Sequence, residues 1–289
     1  MSEKLQSFLN LTRIKKPIGY MLLFWPCLWG LTLSYDFNIG PKLFIFYTIL
    51  FFLGSILMRS AGCIINDVVD RKFDIKVERT KDRPIASGKI SVLEGLILSG
   101  ILCLIALLVL IQFNTLTILL AIASMPLAFT YPYMKRLTYW PQLYLGITFN
   151  YGLLLGWTSI ENNITILPLV FYFGAIFWTL GYDTIYGFQD INDDEIIGVK
   201  STSIKFKENP KKFLIACYLI TFFTFLYLGY EMNFSIYFYL FSLLIFIHLF
   251  VYQIFYLNIN NSDNCLKIFK SNNYLGLLIF INLLIGKFL

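Results

Sequence analysis

Long apolar runs separated by short polar connections set the pattern of this chain. Nine runs approach the length of a bilayer-crossing helix: roughly 17–34, 43–65, 92–112, 115–133, 141–160, 165–187, 212–230, 235–257 and 273–288. Gly286 and Lys287 shorten the last. Runs of this length lack the alternation of membrane strands, so the backbone's need for internal pairing predicts helices and excludes a barrel. Pro26 in the first run, Pro126 and Pro132 in the fourth and Pro168 in the sixth predict bends, which a bundle around a pocket tolerates.

Composition agrees with the pattern. At 58% hydrophobic and 14% charged residues over 289 positions, with mean hydropathy +0.70, the chain has more apolar surface than a soluble core could hide. Charge adds orientation. With the N-terminus cytoplasmic, 20 of the 23 lysines and arginines fall on one side, leaving Lys42 and Lys287 opposite and Arg59 within a span. The net charge of +6 is therefore topological, and no nucleic-acid partner is expected. Residues 1–16 lack the small-residue cleavage pattern of a signal peptide and the composition of an organellar presequence. They predict an amphipathic lead-in at the cytoplasmic interface of a bacterial inner membrane.

Cys27, Cys63, Cys103, Cys217 and Cys265 show no paired spacing and read as small hydrophobes rather than disulfide or zinc positions. His248, the one histidine, lies in an apolar run and reads as structural.

The polar chemistry is concentrated in two stretches that follow spans two and six. At about 100° per residue, Arg59, Asn66 and Asp70 share one helical face, with Asp74 slightly further round. Asp183, Asp190 and Asp194 repeat the same offsets. Carboxylates at i and i+4 repel unless a cation sits between them, so Asp70 with Asp74 and Asp190 with Asp194 predict oxygen ligands for a hard divalent ion. Mg²⁺ shares itself between carboxylates and substrate phosphate, so the predicted ligand is a diphosphate. Arg71, Lys72, Arg79, Arg83, Lys200 and Lys205 could neutralise it. Lys72, Lys76, Lys89, Lys207, Lys211 and Lys212 are better explained as a solvated inside-facing flank. Arg59 and Asp183 lie deeper, where ionisable residues are functional or paired with one another.

The run Asn66-Asp67-Val68-Val69-Asp70-Arg71-Lys72-Phe73-Asp74, followed by Arg79-Thr80, Arg83-Pro84 and Ser87-Gly88, resembles the first signature of the UbiA-type intramembrane prenyltransferases. Asp183-Thr184-Ile185-Tyr186, Asp190 to Asp194 and Gly198-Val199-Lys200-Ser201-Thr202 resemble the second. Arg13, Lys16-Pro17-Ile18-Gly19, Trp25-Pro26, Tyr131 to Arg136 and Pro141-Gln142 extend the resemblance over about residues 10–205, most similar to the branch that uses 4-hydroxybenzoate. Asn192 departs from the pattern, standing where many members have aspartate.

The resemblance implies a single domain over residues 1–289, with two acidic-motif halves at roughly 17–133 and 141–257. Its fold would be a nine-transmembrane-helix bundle with a central cavity open to the cytoplasmic side. The implied reaction is Mg²⁺-dependent transfer of a polyprenyl group from its diphosphate to the ring carbon ortho to the hydroxyl of 4-hydroxybenzoate, in ubiquinone biosynthesis. Asn66, Asp70, Asp74, Asp190 and Asp194 would hold the metal; Arg71, Arg83 and Lys200 would contact phosphate. Arg136 or Arg13 would pair with the benzoate carboxylate. Asp183 would stabilise positive charge or pair with Arg59. A menaquinone precursor or haem as acceptor remains open, as does a transporter. A CDP-alcohol phosphotransferase is disfavoured because no Asp-Gly pair occurs.

Overall fold

The computed structural model describes residues 3–289, among which no strand occurs. A short helix α1 (Glu3–Thr12) precedes nine long ones: α2 (Pro17–Ser34), α3 (Lys42–Asp74), α4 (Val92–Leu110), α5 (Thr115–Thr130) and α6 (Pro141–Glu161), then α7 (Ile166–Gly187), α8 (Pro210–Glu231), α9 (Ile236–Phe246, continued by the π-helix Ile247–Phe255) and α10 (Ser262–Phe288). The fold is thus an all-helical membrane bundle in which eight helical segments are long and apolar enough to span a bilayer.

The expected span that does not meet this criterion is α6. Its polar and small positions Gln142, Asn150, Gly152 and Gly156 are buried against α2 and α7 instead of facing lipid, so it needs less hydropathy than its neighbours. Two boundaries also differ from the apolar pattern. Helix α3 runs through Asp74 instead of ending near 65, carrying the first acidic motif on regular helix. Helix α10 begins at Ser262, capped by the Asn261 side chain, and not at 273.

Small residues set the tightest contacts. Gly152 and Gly156 on α6 press on Cys27 and Leu31 of α2, while Gly30 of α2 meets the Leu153 backbone; a Cβ at any of the three would overlap main chain or Cys27. Such close approach replaces the hydrophobic drive that is absent within lipid. Around it, Trp29 and Trp178 lie 5.1 Å apart in the core. Trp178 donates to Asn272 (2.8 Å) and Tyr218 to Gln253 (2.7 Å), and Gln253 donates to Asn272 (3.0 Å), tying α7 and α8 to the π-helix and α10. His248 Nδ1 sits 3.3 Å from Gln253 in the same network, which gives the lone histidine a structural role.

Outer helices pack lightly. Buried positions on α4 are only Gly95, Ser99 and Ala106, and on α5 only Thr117. At the inner end, Leu11 of α1 buries with Ile64, Ile85 and Ile90, forming a second small core that fixes residues 75–91 over the bundle. A capping box between Ser91 and Glu94 starts α4, and Lys4 of α1 reaches Glu94 at 2.6 Å.

Candidate active site

Helices α2 to α7 and α10 wall a cavity of about 1660 Å³. One end is charged: Asn66, Asp70, Asp74, Asp183, Asp190 and Asp194 line it together with Arg13, Arg59, Arg83 and Lys200. Apolar side chains such as Leu50, Leu110 and Leu155 line the other. Leu104 and Leu107 of α4 and Ile122 of α5 line the cavity and are exposed.

On α3 the three aspartates are almost fully buried, and each is held by cations from other segments. Asp67 accepts from Arg13 and from Arg83 Nη1 (3.2 Å). Arg83 Nη1 also donates to both oxygens of Asp74, at 3.1 and 2.9 Å. Lys135 Nζ donates to Asp70 at 2.6 Å, and Arg136 Nη2 lies 3.4 Å from its other oxygen. Buried carboxylates require such partners, because an uncompensated charge in this environment is costly. Arg13 reaches its place from a left-handed backbone conformation (φ 54°) just after α1, a turn that few non-glycine residues adopt.

The second motif is built differently. Helix α7 ends at Gly187, a 3₁₀ turn (Phe188–Asp190) follows, and Asp194 sits on the short helix Ile191–Ile197. Its offsets match the first motif but the helical phase does not continue, so Asp183, Asp190 and Asp194 do not share one helical face. Arg79, from the segment after α3, grips Asp190 and donates to the Tyr186 hydroxyl at 3.2 Å. Partial burial works against its charge, yet the bonds to Asp190 and Tyr186 hold the guanidinium above its ordinary range. Asp194 has no ion-pair partner among the described residues.

Deeper in, Arg59 lies 5.4 Å over the Phe149 ring with its buried Nε unpartnered. It passes so close to Gly19 that a Cβ there would come within 2.8 Å of Nε. The anticipated Arg59–Asp183 ion pair is not formed; both side chains face the same cavity.

The anticipated phosphate and carboxylate contacts divide by placement. Arg13, Arg83 and Lys200 line the cavity, with Lys200 Nζ resting on the Leu137 carbonyl at 3.3 Å. Arg71 is exposed outside it. Arg136 stands behind Asp70, bonded to the Val69 carbonyl at 2.9 Å and stacked over Phe73, and does not line the cavity. Lys135, to which the sequence gives no separate role, and Arg79, one of its general neutralising cations, also line the cavity. No local signal singles them out, since Lys135 and Arg79 meet carboxylates 65 and 111 residues away.

Asn66, Asp70, Asp74, Asp190 and Asp194 offer only oxygen, the donor chemistry of a hard divalent cation. Among the described residues no three histidine, cysteine or acidic side chains converge into a closed metal cage. A cation here would complete its shell with water and ligand oxygens, as Mg²⁺ does, so the residues present fit Mg²⁺.

Comparison with known proteins gives the chain its family. The model of the UbiA prenyltransferase family matches residues 23–284. The mitochondrial 4-hydroxybenzoate polyprenyltransferase of Drosophila pseudoobscura pseudoobscura is 43% identical over 285 residues, covering 98% of this chain and 70% of that protein. Among solved structures, a UbiA homolog from Aeropyrum pernix K1 superposes with TM-score 0.76 at 21% identity, covering 93% of this chain and 98% of that one. A UbiA homolog from Archaeoglobus fulgidus bound to GPP and Mg²⁺ gives 0.73 at 18% identity, covering 96% and 98%. With the family match spanning nearly the whole bundle and both acidic motifs within it, this chain belongs to the UbiA prenyltransferase family.

Proposed function

We propose that this protein transfers a polyprenyl group from polyprenyl diphosphate to the ring carbon ortho to the hydroxyl of 4-hydroxybenzoate, a step of ubiquinone biosynthesis. One observation carries the reading: the two acidic motifs line the same cavity as a long apolar wall, so a single ligand with an anionic head and a hydrocarbon tail has a place for both parts. The near-full-length identity to a protein named for this activity supports the choice of acceptor.

In this reading Asn66, Asp70, Asp74, Asp190 and Asp194 would hold Mg²⁺, which would supply neutralisation of charge on the leaving diphosphate. Arg13, Arg83, Lys135, Arg79 and Lys200 line the head-group end and share their charge between the carboxylates or carbonyls they hold and phosphate oxygens, fixing the head group and stabilising the charge that develops as the allylic C–O bond breaks. The apolar wall keeps water from the resulting carbocation. Arg59, with its free buried Nε, pairs with the benzoate carboxylate and presents the ring. Asp183 faces the same space with no ion-pair partner among the described residues and stabilises positive charge until the ring carbon has attacked and its proton has passed to the released diphosphate.

The chain acts as a single membrane-embedded unit. All nine long helices, α6 included, cross the bilayer, and the charged end of the cavity faces the side that holds the N-terminus and most basic residues. That side is the cytoplasm of a bacterial inner membrane, or the corresponding inner face in a mitochondrial setting such as that of the named relative.

The test is incubation of purified membranes with radiolabelled 4-hydroxybenzoate, a polyprenyl diphosphate and Mg²⁺. Wild type should give labelled prenyl product, and Asp70→Ala and Asp190→Ala should not. Undiminished product in either variant overturns the assignment.

A further inference from the structure

Outside the cavity lining, the inner ends of α6, α7 and α8 carry a cluster that the reaction does not use. Trp140, just before α6, meets Phe206 edge-on with ring centroids 5.7 Å apart and Phe213 of α8 at 6.2 Å, and the Phe206 and Phe213 rings stack at 3.9 Å. Lys205 Nζ lies 4.5 Å over the Trp140 ring and 5.7 Å from that of Phe206. Lys205, one of the cations expected to neutralise a diphosphate, does not line the cavity. It is exposed and has no ion pair among the described residues, whereas Lys207 is matched by Glu195. Residues 200–212 carry Lys200, Lys205, Lys207, Lys211 and Lys212 against Glu208 alone, so the surroundings of the cluster stay positive.

This platform is held in place. The short helix Thr202–Lys205 lies across the end of α7: Ser203 Oγ donates to the Thr184 carbonyl at 2.8 Å, the Thr184 and Thr202 hydroxyls meet at 2.6 Å, and the Thr202 N–H donates to Gln142 of α6 at 2.9 Å. Thr184 follows Phe177 by seven residues and Phe173 by eleven, so the three share one face of α7. Phe173 is exposed, Phe177 is half-buried and their rings lie 4.9 Å apart, with Leu169 exposed one turn further out. An apolar stripe therefore runs along α7, between its neighbours α6 and α8, and stops about 10 Å short of the Thr184 level where the lysine platform begins.

We propose that this face binds an anionic phospholipid of the inner leaflet, with its phosphate on Lys205 and Lys212 and its acyl chains on Leu169, Phe173 and Phe177. Lys212 is exposed on the first turn of α8, next to Phe213. The site stands apart from the prenyl-transfer reading. An ammonium resting on aromatic faces is stabilised on that side and keeps protons for an acceptor on the other. A phosphodiester supplies the acceptor oxygens and the negative charge. Because α6 and α8 both begin here, indole and lysines stand at the head-group level, where such side chains anchor spans and basic pockets between helices take acidic lipids. A choline head group brings its own cation against the lysines, and free phosphate leaves the stripe uncovered.

The experiment titrates the purified protein in neutral detergent with phosphatidylglycerol, phosphatidylcholine or glycerol phosphate and reads bound species by native mass spectrometry. Wild type should hold phosphatidylglycerol more tightly than phosphatidylcholine, and added KCl should erode that preference, a readout that needs no variant. Lys205→Gln should weaken phosphatidylglycerol about five-fold and Lys212→Gln by a similar factor, with phosphatidylcholine unchanged. Lys76→Gln, at an exposed lysine elsewhere on the inner side, should alter neither. Equal affinity of wild type for the two lipids, or equal losses in Lys76→Gln and Lys205→Gln, overturns the site and leaves only diffuse attraction. Glycerol phosphate binding as tightly as phosphatidylglycerol overturns the lipid as occupant, and a lipid-free dimer that persists in phosphatidylglycerol gives the face to a second copy instead.

Discussion

In the first acidic motif Asp67, Asp70 and Asp74 are buried on continuous helix and each is gripped by a cation from elsewhere in the chain. In the second, Asp190 ends a 3₁₀ turn and Asp194 follows it; both are half-buried, and of the two only Asp190 is paired among the described residues. Equal spacing therefore conceals different physical duties. The first motif ties α1, α3, residues 75–91 and the connection before α6 together, so its carboxylates serve the fold as well as the ligand. Asp190 is held by Arg79 and Asp194 by no ion pair among the described residues, so both can reorganise around a ligand at small cost to the bundle.

Substitutions can break this contrast. The largest effect is expected from Asp70→Ala, which removes a carboxylate proposed to hold the metal and releases Lys135: transfer of label to 4-hydroxybenzoate should fall by about 10³-fold or more, and retention of a tenth of wild-type rate would refute its role. Next comes Asp67→Asn. Loss of the buried charge between Arg13 and Arg83 should lower stability by about 3–5 kcal/mol in thermal unfolding in detergent, whereas Asp194→Asn should change it by less than about 1 kcal/mol. Equal losses in the two variants would erase the distinction drawn between the motifs.

Smaller effects sharpen the picture. Arg79→Met deletes the one cation that spans the two motifs; donor KM should rise by about ten-fold, as for a lost hydrogen bond to a charged group, with little loss of stability because the pair is partly exposed. Gly19→Ala should push Arg59 off its rotamer and raise KM for 4-hydroxybenzoate about three-fold while leaving donor KM alone. A change in donor KM instead would move Arg59 from the acceptor to the diphosphate.

Much of the framework was legible from pattern alone, because hydrophobic length is a local property: all nine apolar runs became long helices. The errors lie where local and tertiary demands diverge. Helix α3 continues to Asp74 because cations from other segments neutralise acids that would otherwise end a span, and α6 tolerates Asn150 and its glycines because its neighbours bury them. Equal spacing suggested two equivalent faces, but the turn at Phe188–Asp190 gives the second motif its own geometry.

By itself, then, the sequence determined a helical membrane protein and two clusters of acids that follow apolar runs; composition and spacing dictate these without knowledge of which segments meet. Only the tertiary structure decided that Lys135 and Arg79 enter the cavity while Arg71 and Arg136 do not, and that Lys205 rests on Trp140 outside it. Those outcomes depend on contacts between residues dozens of positions apart, fixed by helix packing and by the need to pair every buried charge.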